Sequence, residues 1–228
     1  MSFWVECPSP NQGPRPHGSA IDILLLHYTG MPTAAAALEW LVDPASQVSC
    51  HWLIDEDGTL YALVEEGRRA WHAGRSFWAG ERDINSRSIG IELVNPGQEW
   101  GYRAFPPAQM AALADLAQGI LARHPIPGHR VLGHSDVAPE RKQDPGELFD
   151  WAWLAVRGVG HWPAPADGPE SLDPAADLAR IGYEQDDAAT IAAFQRHYRQ
   201  SRVDGSLDRE TRIRIAQIAR AIPLTAPA

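Results

Sequence analysis

AIDILLLHYTGMPTAAAALEWLVDP, residues 20–44, decides the fold class. Its first part is a short apolar run that ends at His27 and a glycine, which reads as a buried strand. Its second part has Pro32 near the start, an alanine-rich body and Pro44 at the end, which reads as a helix. A strand feeding straight into a helix is the repeating unit of α/β proteins. The apolar run is too short to cross a bilayer, which takes about 20 apolar residues.

Working outward, VSCHWLID (48–55) and TLYALVE (59–65) flank the turn EDG and read as a β-hairpin. SIGIELV (88–94) is another strand. PAQMAALADLAQGILARH (107–124) is a helix opened by Pro107, with Pro125 just beyond it. HRVLGH (129–134) is a short strand, and GELFDWAWLAVRG (146–158) reads as a helix closed by Gly158. Strands alternate with helices throughout, which predicts an α/β fold: a central mixed sheet flanked by helices, the hairpin supplying antiparallel pairing. A Pro/Gly/Ala-rich stretch then reads as a linker, and three short helical patterns follow it: 173–183, 186–201 and 208–222. The expected division is a first domain over 1–160, a linker over 161–171 and a three-helix bundle over 172–228. A bundle that small has a limited core and is expected to lean on the first domain.

Composition narrows the partners. A formal net charge of -9 over 228 residues argues against nucleic acid, whose partners show a basic face. Two cysteines, Cys7 and Cys50, imply no disulfide framework. The opening stretch MSFWVECPSPNQGPRPHGSA has neither the basic nor the apolar region of an export signal. The expectation is a monomer without a transmembrane segment that works in the cytoplasm, or in the periplasm if a signal was removed. Nine tryptophans are expected mostly in the core, although exposed ones stack well on sugars.

GHSDVAPERKQDPG, residues 133–146, crowds ionisable side chains between two glycines, on what reads as a proline-stiffened loop without helix or strand. His27 and His134 stand at predicted strand ends, where α/β sites form. Asp144 precedes Pro145, which pushes it toward extended backbone. Two imidazoles and a carboxylate would suit a catalytic zinc with an open position. Spacing alone does not single them out. His27 could be a hydrogen-bonded core histidine and Asp144 a turn residue, while Cys50, His51 and His72 form a rival set. Glu92 interrupts an apolar strand. It shares a face with Gly90 and Val94, opposite Ile89, Ile91 and Leu93, so it points either to a site or to a solvated edge. Lys142 lies two residues before Asp144, where it could steady an oxyanion or simply meet solvent.

Four segments in order, LLLHYTG, SCHWLIDEDGTLYALVEEGRRAWHAG, NSRSIGIELVN and GHSDVAPERKQDPG, resemble the zinc-dependent N-acetylmuramoyl-L-alanine amidases, a family that includes the peptidoglycan recognition proteins. The likeness covers roughly residues 20–160. In the tail, LARIGY, IAAFQRHYR and VDGSLDRETR are similar to the three-helix peptidoglycan-binding domain attached to cell-wall hydrolases. The resemblance implies that His27, His134 and Asp144 hold Zn2+, that Glu92 handles the proton of the attacking water, and that Lys142 supports the polarised carbonyl. It implies that Trp71, His72, Ala73 and Asn85 line the substrate groove, and it leaves Arg75, Arg82 and Arg87 open as partners of the peptide carboxylate. The implied substrates are muropeptides or murein, in peptidoglycan turnover and recycling. A non-catalytic peptidoglycan receptor is the alternative. An unrelated zinc peptidase would need an H-E-x-x-H helix, and the sequence has none.

Overall fold

The computed structural model describes residues 4–163 and 167–223, so the expected linker lies partly outside the described residues. The strands are β1 (Trp4–Glu6), β2 (Gln12–Pro14), β3 (Ile23–Tyr28), β4 (Trp52–Ile54), β5 (Leu60–Ala62), β6 (Arg68–Ala70), β7 (Ser88–Leu93) and β8 (Val131–Gly133). The helices are α1 (Ala34–Val42), α2 (Ile84–Arg87), α3 (Gly97–Trp100), α4 (Pro107–Arg123), α5 (His134–Val137), α6 (Trp151–Val156), α7 (Pro174–Ile181), α8 (Ala188–Tyr198) and α9 (Arg209–Ala221).

Six strands form one mixed sheet in the order β1-β5-β4-β7-β3-β8, and β2 pairs with β6 apart from it. The hairpin β4–β5 is antiparallel, while β4–β7, β3–β7 and β3–β8 are parallel. The mixed α/β sheet expected from the sequence is therefore present. β3 and β7 are buried on both faces, so they read as continuous apolar runs. Alternation sorts their side chains. Leu24, Leu26, Ile89, Ile91 and Leu93 join α4 and α6 in one core. Ile23 and Leu25 face the other way, into a second core with Trp78, Ile84, Leu132 and Val137.

That second core is completed by the tail. Leu178, Ile181, Tyr183, Ile191, Phe194, Tyr198, Ile215 and Ile218 belong to it. Gly182, at φ +136°, lets α7 end directly on Trp78: a Cβ there would lie 2.5 Å from the indole. Ala79 N–H donates to the Gly182 carbonyl at 2.8 Å.

Three local readings are corrected. Residues 133–146 hold a single helical turn, α5, because Asp136 accepts from Gly133 N–H at 2.8 Å and Ala138 N–H reaches the His134 carbonyl. The helix expected from Gly146 starts only at Trp151, since Gly146 takes φ +85° and Asp150 supplies the cap for Trp153 N–H. Of the tryptophans, Trp78 and Trp151 are buried, whereas Trp4, Trp40 and Trp100 are largely exposed. Among the described residues no helix is long and apolar enough to cross a membrane.

Candidate metal centre and active site

β3 delivers His27, and β8 runs parallel beside it with Leu26 opposite Gly133, so His134 follows at the same end of the sheet. Ser135 N–H donates to the Asp144 carbonyl at 2.9 Å and folds the loop back, bringing Asp144 to the same point. There His27 Nδ1 lies 2.9 Å from His134 Nδ1, and Asp144 Oδ2 lies 3.2 and 3.1 Å from the two. All three residues are buried.

The far sides of both rings fix which nitrogens carry protons. His134 Nε2 faces the Ala73 carbonyl at 3.1 Å, which can only accept, so Nε2 holds the hydrogen and Nδ1 is bare. For His27 the chain is longer. Ser88 Oγ donates to the Ile84 carbonyl at 2.7 Å, so it accepts from His72 Nε2 at 3.3 Å; His72 Nδ1 then accepts from His27 Nε2 at 3.0 Å. His27 Nδ1 is bare as well. Two lone pairs and a carboxylate oxygen packed this closely repel one another unless a cation sits among them, and this donor set suits zinc.

The electrostatics agree. Burial, then the nearby His134, lowers the His27 pKa to about 4, which favours neutral imidazole at neutral pH. Burial alone would raise Asp144, and positive charge at His134 and His27 holds its carboxyl well below the usual range, charge that a cation would supply where both Nδ1 atoms are bare. Glu92 stands on central β7 rather than at a solvated edge, in register with His27. Burial, reinforced by Asp144 and opposed by Lys142, raises its pKa to about 8. Its Oε2 is withdrawn from solvent and has no hydrogen-bond partner among the described residues.

Glu92, His134, Asp144, Lys142 and His72 line a cleft of about 200 Å³, whose rim includes Tyr28 and Trp40. A larger cavity of about 910 Å³ lies between the β1–β5 end of the sheet and α4, without any of these groups. Convergent chemistry, not volume, identifies the site. Of the residues expected in the groove, His72 lines this cleft, and Trp71, Ala73 and Asn85 are not among its lining residues. Asn85 is buried, and its Oδ1 accepts from His72 and Ala73 N–H at 3.0 and 2.8 Å, fixing the backbone that supports both imidazoles. Cys50 is a buried free thiol, and His51 is occupied by Gly90 N–H and the Arg68 carbonyl, so the rival set does not assemble. Arg87 is paired with Asp22 and Glu81, Arg82 with Glu184, and Arg75 is exposed.

Two supporting residues escaped the sequence reading: Ser88, and Gly90, where a Cβ would lie 2.5 Å from the His72 ring. A glycine inside an apolar strand is the signal for such a close approach.

The family model described as N-acetylmuramoyl-L-alanine amidase matches residues 17–147, which span the whole cluster. The N-acetylmuramoyl-L-alanine amidase AmiD of Escherichia coli is 36% identical over 222 residues, 84% of this chain and 79% of its own. The 1,6-anhydro-N-acetylmuramyl-L-alanine amidase AmpD of Citrobacter freundii is 34% identical over 162 residues, 64% of this chain and 84% of its own. Among solved structures, E. coli AmiD in complex with the substrate anhydro-N-acetylmuramic acid-L-Ala-D-gamma-Glu-L-Lys aligns with a TM-score of 0.79 at 34% identity, over 90% of this chain and 92% of that one. AmpDh3 from Pseudomonas aeruginosa, in complex with anhydromuramic pentapeptide, aligns with a TM-score of 0.82 at 32% identity, over 90% and 94%. Matched across its site by the family model, and by AmiD over most of its length, this chain belongs to the N-acetylmuramoyl-L-alanine amidases.

Proposed function

We propose that the enzyme hydrolyses the amide between the lactyl group of N-acetylmuramic acid, or its 1,6-anhydro form, and L-Ala of the stem peptide, with zinc held by His27, His134 and Asp144. The observation that carries this is the convergence of two imidazole nitrogens and one carboxylate oxygen beside Glu92, whose buried Oε2 has no hydrogen-bond partner among the described residues. Zinc in such a site supplies a Lewis acid and brings the pKa of a bound water down to about 7.

The chain's own groups do the rest. Glu92 takes a proton from the attacking water and delivers one to the departing L-Ala nitrogen, leaving a lactyl carboxylate and a free peptide amine. Burial raises its pKa above the ordinary carboxylate range, and nearby positive charge, Lys142 included, opposes the rise and favours the ionised form that can accept a proton. Lys142, on the cleft wall, places positive charge where the amide oxygen becomes negative. Tyr28 and Trp40 give the cleft an aromatic rim suited to a sugar face. The tail, similar in its motifs to peptidoglycan-binding modules, adds a second hold on polymeric murein.

The test is zinc content together with mass-spectrometric release of stem peptide from a soluble anhydro-muropeptide. Binding without release would favour the receptor reading. Comparing that substrate with intact sacculi would decide between a recycling role and action on the wall.

A further inference from the structure

Asp136 is almost completely buried, yet the proton handling above does not use it. It lies two residues after His134, inside the single turn of α5. Its Oδ2 accepts at 2.8 Å from the N–H of Gly133, the residue just before His134. The other donors come from the tail. Tyr183 O–H donates to Oδ1 at 2.5 Å, and His197 Nδ1–H donates to Oδ2 at 2.7 Å. The His197 ring is itself held flat against Trp151, with centroids 3.8 Å apart.

We infer that Tyr183 and His197 are positioning residues for the metal ligand His134, acting through Asp136; this rests on the zinc site proposed above. A carboxylate withdrawn from water keeps its place only if its oxygens are hydrogen-bonded. Here two of the three donors come from beyond the linker. Without them Asp136 turns to seek other partners, and its grip on Gly133 N–H loosens. Gly133 and His134 are consecutive, and a one-turn helix has almost no internal hydrogen bonding to hold its own orientation. Ser135 N–H, on the same turn, anchors the Asp144 carbonyl, so a tilt of α5 moves two ligands at once. The tail is thus part of the metal site's support as well as a cover for the sheet.

The test uses the full chain. Zinc affinity is measured by competition with a chromophoric chelator for the parent, Tyr183→Phe, His197→Ala, His197→Asn and Gln200→Ala, with thermal unfolding of each. Tyr183→Phe removes one oxygen and leaves the packing. His197→Asn loses the same ring stacking as His197→Ala but keeps a donor near the Nδ1 position. Gln200→Ala removes a tail contact, to the Phe149 carbonyl at 2.6 Å, that does not touch Asp136. Tyr183→Phe and His197→Ala are expected to weaken zinc binding by about 10–100-fold, the range for groups that orient metal ligands. The visible spectrum of their cobalt-loaded forms should change too. His197→Asn should recover part of the affinity, and Gln200→Ala should bind zinc like the parent. Unchanged affinity in both Tyr183→Phe and His197→Ala overturns the inference, as does an equal loss in Gln200→Ala at matched stability. A parent chain without a zinc site overturns this inference and the proposed function together.

Discussion

His27 and Glu92 are register partners on the adjacent parallel strands β3 and β7, so their side chains leave the sheet from one face at one level. The proposed ligand and the proposed proton carrier are thereby fixed side by side by backbone pairing, which no rotamer change can undo. The two roles should separate on substitution. His27→Ala, His134→Ala or Asp144→Ala should lower zinc occupancy and abolish turnover. Glu92→Gln should keep stoichiometric zinc yet lose about 100-fold or more in kcat. Loss of zinc from Glu92→Gln would make Glu92 a ligand or a structural residue instead.

Lys142→Met tests where its charge acts. Zinc should be retained, and kcat should fall more than KM rises, because a developing oxyanion exists only in the transition state. Steady-state kinetics on a soluble muropeptide reads this split; a change confined to KM would make Lys142 a binding residue.

Gly90→Ala should be costly although it adds only a methyl group. The new Cβ would meet the His72 ring at 2.5 Å, and the β7 backbone and His72 are both buried. The expected cost is about 1–3 kcal/mol of stability, with weaker zinc binding as His72 shifts away from His27. Chemical denaturation and chelator competition measure the two effects; a parent-like result in both would mean that the site yields more readily than its packing suggests.

Acid should destabilise the fold through His51. Burial first, then Arg15, lowers its pKa from 6.5 to about 3. The unfolded chain takes up this proton as pH falls through 6.5, while the folded chain resists until near 3, so stability is full above the unfolded value and declines through that window. His27 shifts in the same direction. Melting temperature against pH should therefore slope more steeply for the parent than for His51→Asn; parallel slopes would remove His51 as a cause.

Deleting residues from about 170 onward should lower melting temperature and soluble-substrate turnover together. It would strip cover from Ile23, Leu25, Leu132 and Trp78. Each large aliphatic side chain returned to water forfeits about 1.5–3 kcal/mol. Retention on insoluble peptidoglycan should fall as well, since the proposed second hold on murein is gone. An unchanged melting point and unchanged soluble turnover, with weaker retention alone, would reduce the tail to a tether.

Much of this was legible in the sequence because it depends on local periodicity. The two-residue alternation of IGIELV put Glu92 opposite the core-facing isoleucines, and the apolar run before His27 marked a buried strand. What stayed hidden depends on long-range contact. The resemblance implied a groove role for Asn85, but nothing in the sequence showed that its Oδ1 accepts from the His72 and Ala73 N–H groups, just past β6. Ser88 and Gly90 gained their roles only when His72 arrived beside them. Asp136 looked like one more loop acid, because its two outer partners lie 47 and 61 residues away in sequence. The tail's three helices were readable from their patterning, but which sheet face they cover was not, since both faces of β3 are equally apolar.

The seat of Gly182 on Trp78 bears on how such chains can be recombined. A tail carrying any side chain at that position would collide with the indole, and a catalytic part without a large ring there would leave a hollow under α7. The two parts are therefore not interchangeable cassettes. A chimera that takes its tail from a relative must bring the matching Trp78 surface with it, and a tailless version would need polar residues in place of Ile23 and Leu25, on the strand that also carries His27.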